Sequence, residues 1–530
     1  MLRIRQIKIP LDKDNDEFLY NAISKILKVK RDNLSNLIIV KKSLDARRKD
    51  NVHYVYEVDV SLVNEEKILK MNRSNDILKT PDEIYIFSSV GTKEIINRPV
   101  IVGSGPAGLF CAYVLAENNY KPLIIERGAS VDERVEIIEN FWKTGKLDVN
   151  TNVQFGEGGA GTFSDGKLNT LVKDRANRGR KVFDIFIENG APDEIRYINH
   201  PHIGTDLLRE VIKNIRNKII SMGGEFRYHT TLTNLIVDNN ELTAIEVNNN
   251  EIIPCNSLVL AIGHSARDTF EMLNNFNLDM QAKPFAIGVR IEHLQKLINE
   301  NQYGKELSKI LPPASYKLTY TTTKNRGVYS FCMCPGGFVV NASSEEGRLA
   351  INGMSNHKRD EVNANSALVV TVSPDDFGND PLSGINYQRE LEKVAFNKGA
   401  GNIPIQLYKD FKINRVSTEF EEITPCMKGN YTFSNLNEIL PDYVIEALKE
   451  AIPVFDKKIP GYANGSCVLS AIESRTSSPV RIPRNDEGES NIVGLFPCGE
   501  GSGYAGGITT AAMDGLKIAE AVARKYKAFN

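Results

Sequence analysis

Hydrophobic and polar positions change their rhythm several times along the chain. Arg3 to Ile9 alternates with the period of a strand, and Glu17 to Leu27 places Phe18, Ala22, Ile23, Ile26 and Leu27 at helical spacing. Leu37 to Val40 and Tyr54 to Leu62 predict two strands joined by a charged loop, followed by a helix over Glu65 to Met71 and a strand over Ile84 to Phe87. That order, β-α-β-β-α-β, predicts a ferredoxin-like α+β domain over residues 1–96.

Asn97-Arg98-Pro99 predicts a boundary, because proline cannot donate to a ladder and holds its predecessor extended. From there to about Asp279 strand and helix signals alternate, as in α/β architecture. Beyond Lys283 short β-rich runs dominate, among them Tyr316 to Thr322, Val328 to Cys334, Phe338 to Ser343 and Leu368 to Val372. The last stretch, Ile492 to Lys527, reads as a strand, a glycine-rich turn and a long helix. The expected class is α/β, with a discontinuous Rossmann-type domain (97–165, 203–280, 485–530) and a sheet-containing α+β substrate lobe (166–202, 281–484).

Charge narrows the partners. Sixty-five Lys and Arg against 67 Asp and Glu leave a formal charge of −2, so no global field gathers nucleic acid or an anionic membrane. Lys41-Lys42 and Arg47-Arg48-Lys49 are expected to form a solvated hairpin. No secretory signal opens the chain, and no stretch approaches the ~20 apolar residues that cross a bilayer. Seven scattered cysteines fit a reducing compartment, so a cytoplasmic setting is expected. No Cys or His cluster has zinc spacing, and His200 with His202 lacks companions, so no metal is expected.

The chemistry begins where the apolar run Val100-Ile101-Val102 enters Gly103-Ser104-Gly105-Pro106-Ala107-Gly108 and then a helical run. Gly103 suits a tight turn, Gly105 a close approach of backbone to a pyrophosphate, and Gly108 the packing of helix on strand. Pro106 and Ala107 open a helix whose free N–H groups and dipole favour phosphate. The next strand ends in Glu126, placed for a ribose diol, and Arg127 follows it. Glu126 would repel a 2′-phosphate, which disfavours NADP. No second loop of this kind is found, so no dedicated NAD(P)H domain is expected.

This loop with Glu126-Arg127, taken with Leu495-Phe496-Pro497-Cys498-Gly499-Glu500-Gly501, resembles the two-part FAD signature of the glutathione-reductase-like flavoproteins. The resemblance implies FAD, with Gly499 and Glu500 closing the site and Glu500 standing where that clan has Asp. Gly506, Gly507 and Ile508 lead into a helix whose dipole suits the negative edge of reduced flavin. Ala261 and Gly263 lie in Ser257 to Gly263, which resembles the clan's strand-then-glycine element. Phe226 to Leu235 resembles the preceding strand, with Leu232 presenting backbone to adenine. Three further segments look like a bacterial family of uncharacterised FAD-dependent dehydrogenases: Asn152 to Leu168, Cys332-Met333-Cys334-Pro335-Gly336-Gly337, and Asn352-Gly353-Met354-Ser355. That resemblance covers nearly the whole chain. The segment 156–166, with Gly159, Gly161 and Thr162, is expected along the isoalloxazine, and Lys167 beside it as a positive charge.

Cys332 and Cys334 would share one face of a strand, as a redox relay or as two small buried hydrophobes. His264 and Arg267 are candidates for the cofactor cleft, His264 also for a structural hydrogen bond. Arg290, Arg475 and Arg481 suit either an anionic substrate or structural ion pairs. The expected activity is hydride transfer between flavin N5 and an unidentified small organic substrate, with NAD(P)H visiting transiently or a protein serving as electron partner. A flavin-using RNA-modifying enzyme and a flavin-loaded, non-catalytic interaction module are the alternatives.

Overall fold

The computed structural model describes every residue of the chain except Arg73, Ser89, Leu171 and Asn530. Its first domain is an antiparallel sheet in the spatial order Leu34–Asp45, His53–Leu62, Leu2–Pro10, Ile77–Lys79. Helix Asp16–Leu27 starts where Asn15 accepts the Phe18 N–H at 3.0 Å, satisfying an otherwise orphan donor. It buries Leu19, Ile23 and Leu27 in the core that covers the sheet. The closing strand is not Ile84 to Phe87, as the alternation predicts, but Ile77–Lys79, which pairs with Leu2 to Ile4. The alternation has another cause: Ile84 and Ile86 face solvent, whereas Tyr85 and Phe87 rest on the core of the next domain.

The long hairpin of this domain is only partly solvated. Arg47 and Arg48 stand in water, but Lys42 pairs with Asp14 at 2.6 Å and lies 4.3 Å from the centre of the Tyr54 ring. An open sheet edge is a template for foreign strands. Here Lys42 bonds the chain's own segment, donating to Tyr197 O at 2.7 Å and accepting from Asn199 N at 2.8 Å. Beside it Leu44, Ala46 and Val52 pack against Ala314, Tyr316 and Met333 of the third domain.

The second domain is built on five parallel strands in the order Leu495–Pro497, Leu258–Leu260, Val100–Val102, Leu123–Ile125, Glu225–Arg227. The Val100–Val102, Leu123–Ile125, Leu258–Leu260 and Leu495–Pro497 strands are buried throughout, as expected where helices cover both faces. Helix Pro106–Glu117 is buried from Ala107 to Ala116 and packs against helix Ile508–Lys525. Phe226 to Leu235 is not one strand. Glu225–Arg227 ends the parallel sheet, and Leu232 opens a separate antiparallel sheet of Leu232–Asp238, Glu241–Val247 and Glu251–Pro254. The segment 166–202, expected in the substrate lobe, belongs to this domain's core instead: helix Arg178–Glu188 turns Val182, Ile185 and Phe186 into it.

The third domain, a lobe centred on seven strands, runs Thr319–Thr321, Gly327–Cys334, Asn363–Val372, Phe285–Leu294, Val468–Glu473, Ile403–Leu407, Tyr431–Phe433. Helix Asp442–Asp456 contributes Val444, Leu448, Ile452 and Phe455 to its core. A smaller cluster, with Trp142, Val153 and Phe163 facing Val340, Ala342 and Met354, joins the lobe to the parallel-sheet domain. Among the described residues no helix is long and apolar enough to cross a membrane.

Candidate cofactor and substrate site

Between the parallel sheet and the lobe lies a cavity of about 620 Å³. Val102, Ile125, Ala261 and Glu500 on its wall stand at or just beyond the carboxyl ends of four parallel strands, where open α/β sheets hold ligands.

The glycines of the first loop divide by what a side chain would meet. At Gly103 a Cβ would come within 2.4 Å of Ala261 O and φ is +97°, and at Gly108 it would lie 1.9 Å from Gly103 O. Those two are demanded by the fold, and Gly108 itself is not on the cavity wall. Gly105 is different: its φ of −70° suits any residue, and the nearest atom to a Cβ is Gly159 Cα at 3.8 Å. The same holds at Gly506 and Gly507, where nothing lies within 4 Å. All three line the cavity at or next to the N-termini of helices Pro106–Glu117 and Ile508–Lys525. Space kept bare beside free N–H groups fits a phosphate-bearing ligand that lies directly on backbone.

Glu126 is buried on this wall and braces it. Its carboxylate accepts from Ser104 N at 2.9 Å, Ser104 Oγ at 2.8 Å, Gly128 N at 3.0 Å and Gly156 N at 3.1 Å. Arg127 also lines the cavity, with its guanidinium held by Asp268 at 2.8 Å and Thr269 at 3.1 Å over the ring of Phe155. Gly159, Gly161, Leu232, Ala261, Gly263 and Ile508 line it too, together with Pro106 and Ala107. Two further residues of the expected set, Thr162 and Gly499, are not on the wall. Thr162 is turned away, its hydroxyl on Glu157 O at 3.2 Å and its carbonyl taken by Thr205. Gly499 is a packing position, where a Cβ would meet that of Ala107 at 2.6 Å. Glu500 does reach the cavity, and its Oε1 lies 3.1 Å from His264 Nδ1. His264 Nε2 is buried without a partner among the described residues, a polar atom that suits an incoming ligand.

Arg134 went unnoticed in the sequence. Fully buried, it donates to the carbonyls of Asn152, Val153, Gly156, Glu157 and Gly159 at 2.7–3.2 Å and so shapes the loop that faces the cavity. The signal was an arginine on the apolar stripe of helix Val131–Thr144, among Val131, Ile138 and Phe141.

Comparison with known proteins agrees with this geometry. Residues 284–476 match the family described as FAD-dependent protein, C-terminal domain-like, and residues 101–135 an NAD(P)-binding Rossmann-like domain. Residues 1–61 match a domain of unknown function. An uncharacterized protein of Clostridium beijerinckii (strain ATCC 51743 / NCIMB 8052) is 52% identical over 533 residues, covering 99% of either chain. The chain belongs to this FAD-dependent flavoprotein family. Solved structures aligned with it include glycine oxidase from Bacillus cereus ATCC 14579, at 10% identity over 81% of this chain and 96% of that one, with a TM-score of 0.34. L-proline dehydrogenase from P. horikoshii aligns at 15% identity over 82% and 96%, with a TM-score of 0.35.

In this flavoprotein the cofactor is FAD, and the lobe supplies the remaining wall. Lys167, from the parallel-sheet domain, faces that wall 2.8 Å from Asp165, and its ammonium also donates to Met333 O of the lobe. Against the opposing effect of burial, Lys167 and Arg359 hold the Asp165 carboxyl below its ordinary value. Cys332 and Cys334 both line the cavity but do not share a strand face. A bulge falls between Phe331 and Cys334, Cys332 has φ of +42°, and it is exposed while Cys334 is buried. The surface of Cys332 opens onto the cavity, whose enclosing walls push the thiol up to about 12 against the pull of Lys167 and Arg290.

The arginines are structural. Arg267 is not on the wall: it is buried against Glu392 at 2.8 Å and Gln388 at 3.1 Å. Arg475 does line the cavity, yet its guanidinium grips Glu392 at two points, both 2.9 Å. Arg290 pairs with Glu473 at 2.7 Å, and Arg481 lies 3.9 Å over the Tyr504 ring. His200 is on the wall, whereas His202 stacks on His357 and burial lowers its pKa to about 4.

Proposed function

We propose that the protein is an FAD-dependent oxidoreductase that transfers hydride to or from a small organic substrate lodged against the lobe. The reading rests on one observation: Gly105, Gly506 and Gly507 leave bare backbone at two helix N-termini on a single cavity. FAD, when bound, supplies two-electron hydride chemistry at its N5.

The chain's own residues do the rest. The N-terminus of helix Pro106–Glu117 offers its unpaired N–H groups to the diphosphate. Helix Ile508–Lys525 presents a second positive dipole end to the cavity, which favours the reduced, more negative cofactor. Arg134 and Glu126 fix the intervening loop so that these donors need no rearrangement. Phe331, Met333 and Tyr316 limit water at the lobe end. Transient NAD(P)H or a protein supplies or removes the electrons. The seven free thiols support a reducing, cytoplasmic setting, and the sheet order of the first domain supports the ferredoxin-like reading.

Purification with ample riboflavin, followed by anaerobic photoreduction and a screen of donors and acceptors, tests the reading. A yellow protein whose reduced form is reoxidised selectively by one compound class is expected. A protein that stays colourless and takes up no added FAD ends it.

A further inference from the structure

The lobe end of the cavity carries a charge imbalance. Asp165 is buried and accepts a two-point contact from Arg359, through Nε at 2.8 Å and Nη2 at 2.5 Å. That geometry satisfies a carboxylate by itself. Lys167 Nζ nevertheless lies 2.8 Å from the same group, so two cations share one anion. Of the three ammonium hydrogens one serves Asp165 and one serves Met333 O. The third has no protein partner among the described residues, and the side chain lines the cavity.

A neutral donor lines the same cavity. Asn352 Oδ1 accepts from Arg290 Nη2 at 2.9 Å and from Gly353 N at 2.8 Å, which fixes the amide with its oxygen turned into the protein. Its two N–H groups are the edge left for the cavity that Asn352 lines. A Cβ at position 353 would sit 2.2 Å from Arg290 Nη1, so the glycine there seats the guanidinium that orients the amide. The same Arg290 donates to Cys332 O at 3.3 Å, while Lys167 donates to Met333 O. Lys167 directly, and Asn352 through Arg290, are thus tied to successive carbonyls of one strand.

We propose that Lys167 and Asn352 form a carboxylate subsite, and that the substrate of this flavoprotein is a small organic acid. This deepens the FAD-dependent reading and rests on it. One surplus positive charge and two donors match one negative charge spread over two oxygens. A phosphate group, which carries more charge, is the competing anion, because Lys317 lines the same cavity without a salt-bridge partner among the described residues, and the phosphate arm of the test separates the two.

The test is a titration of the oxidised, FAD-loaded protein with acetate and benzoate, following the flavin difference spectrum, with acetamide and benzamide as uncharged counterparts. Calorimetric titration of the apoprotein with the same compounds runs beside it, so a protein that takes up no FAD ends the earlier reading yet still decides this one. At least one acid is expected to bind saturably and its amide not. Lys167→Met is expected to weaken the acid by about ten-fold or more and Asn352→Leu by several-fold, with Lys167→Arg restoring part of the loss. FAD content and melting temperature report that each variant is folded. Equal affinity for acid and amide, an unchanged affinity in folded Lys167→Met, no binding of either acid, or tighter binding of inorganic phosphate overturns the proposal.

Discussion

His264 Nδ1 stands 3.1 Å from Glu500 Oε1, a contact that joins the loops following strands Leu258–Leu260 and Leu495–Pro497 and leaves the other ring nitrogen to the cavity. Removing the carboxylate in Glu500→Leu frees the ring to turn. The dissociation constant of FAD is expected to rise roughly ten-fold, the worth of one hydrogen bond to a charged group. Fluorescence titration of the apoprotein measures it, with Glu500→Gln retaining most of the affinity.

The two kinds of glycine separate cofactor binding from folding. Gly105→Val places its branch where the nearest protein atom to a Cβ is 3.8 Å away, so thermal stability of the apoprotein should change little while FAD retention is lost. Gly108→Val drives a Cβ to within 1.9 Å of Gly103 O and should lower stability first. Melting curves with and without added FAD distinguish the two.

Arg134→Leu strands the buried carbonyls that the guanidinium now serves. A loss of more than about 3 kcal/mol is expected in urea unfolding, together with weaker FAD binding. Arg134→Lys should recover only part of it, because an ammonium has three donors and no planar fork.

Glu292 gives the fold a pH dependence. It is fully buried, and burial raises its pKa from 4.5 to about 7, opposed by hydrogen bonds from Cys426 N and Asn363. Its Oε2 is buried and unpartnered among the described residues, a setting that favours the neutral carboxyl over the carboxylate. The folded state therefore holds a proton that the unfolded state has released between about pH 4.5 and 7, so this group's contribution to stability falls as pH rises through that window. Glu292→Gln, which does not titrate, is expected to remove this group's part of the slope. An unchanged pH profile of urea unfolding in that variant would falsify the assignment.

The glycine-loop half of the cavity is legible in the sequence because its physics is local. A buried strand, a turn that demands glycine at Gly103 and a helix start occur consecutively from Val100 to Gly108, and each leaves its own pattern. What escaped depends on distant partners. The tilt of Cys332 comes from a bulge set by pairing with Asn363–Val372. The alternation of Ile84 to Phe87 is genuine but reflects a segment lying on another domain's core, and pattern alone does not say which surface buries it. Arg134 has the sequence pattern of any charged helix residue, because its partners are carbonyls of a loop 18 or more residues away. Thr162 and Gly499 sit within cofactor-like motifs yet serve packing, since a motif fixes the path of the backbone and not which atoms face the ligand.

The backbone bridge at Lys42 and the apolar contact of Leu44, Ala46 and Val52 with Tyr316 and Met333 make the opening domain a support of the cavity wall. A truncation starting at Pro99 would leave that wall without its outer buttress, exposing an oily patch and unzipping the peptide that carries His200. Shuffling this domain between homologues should therefore succeed only when the hairpin and the surface it supports travel together.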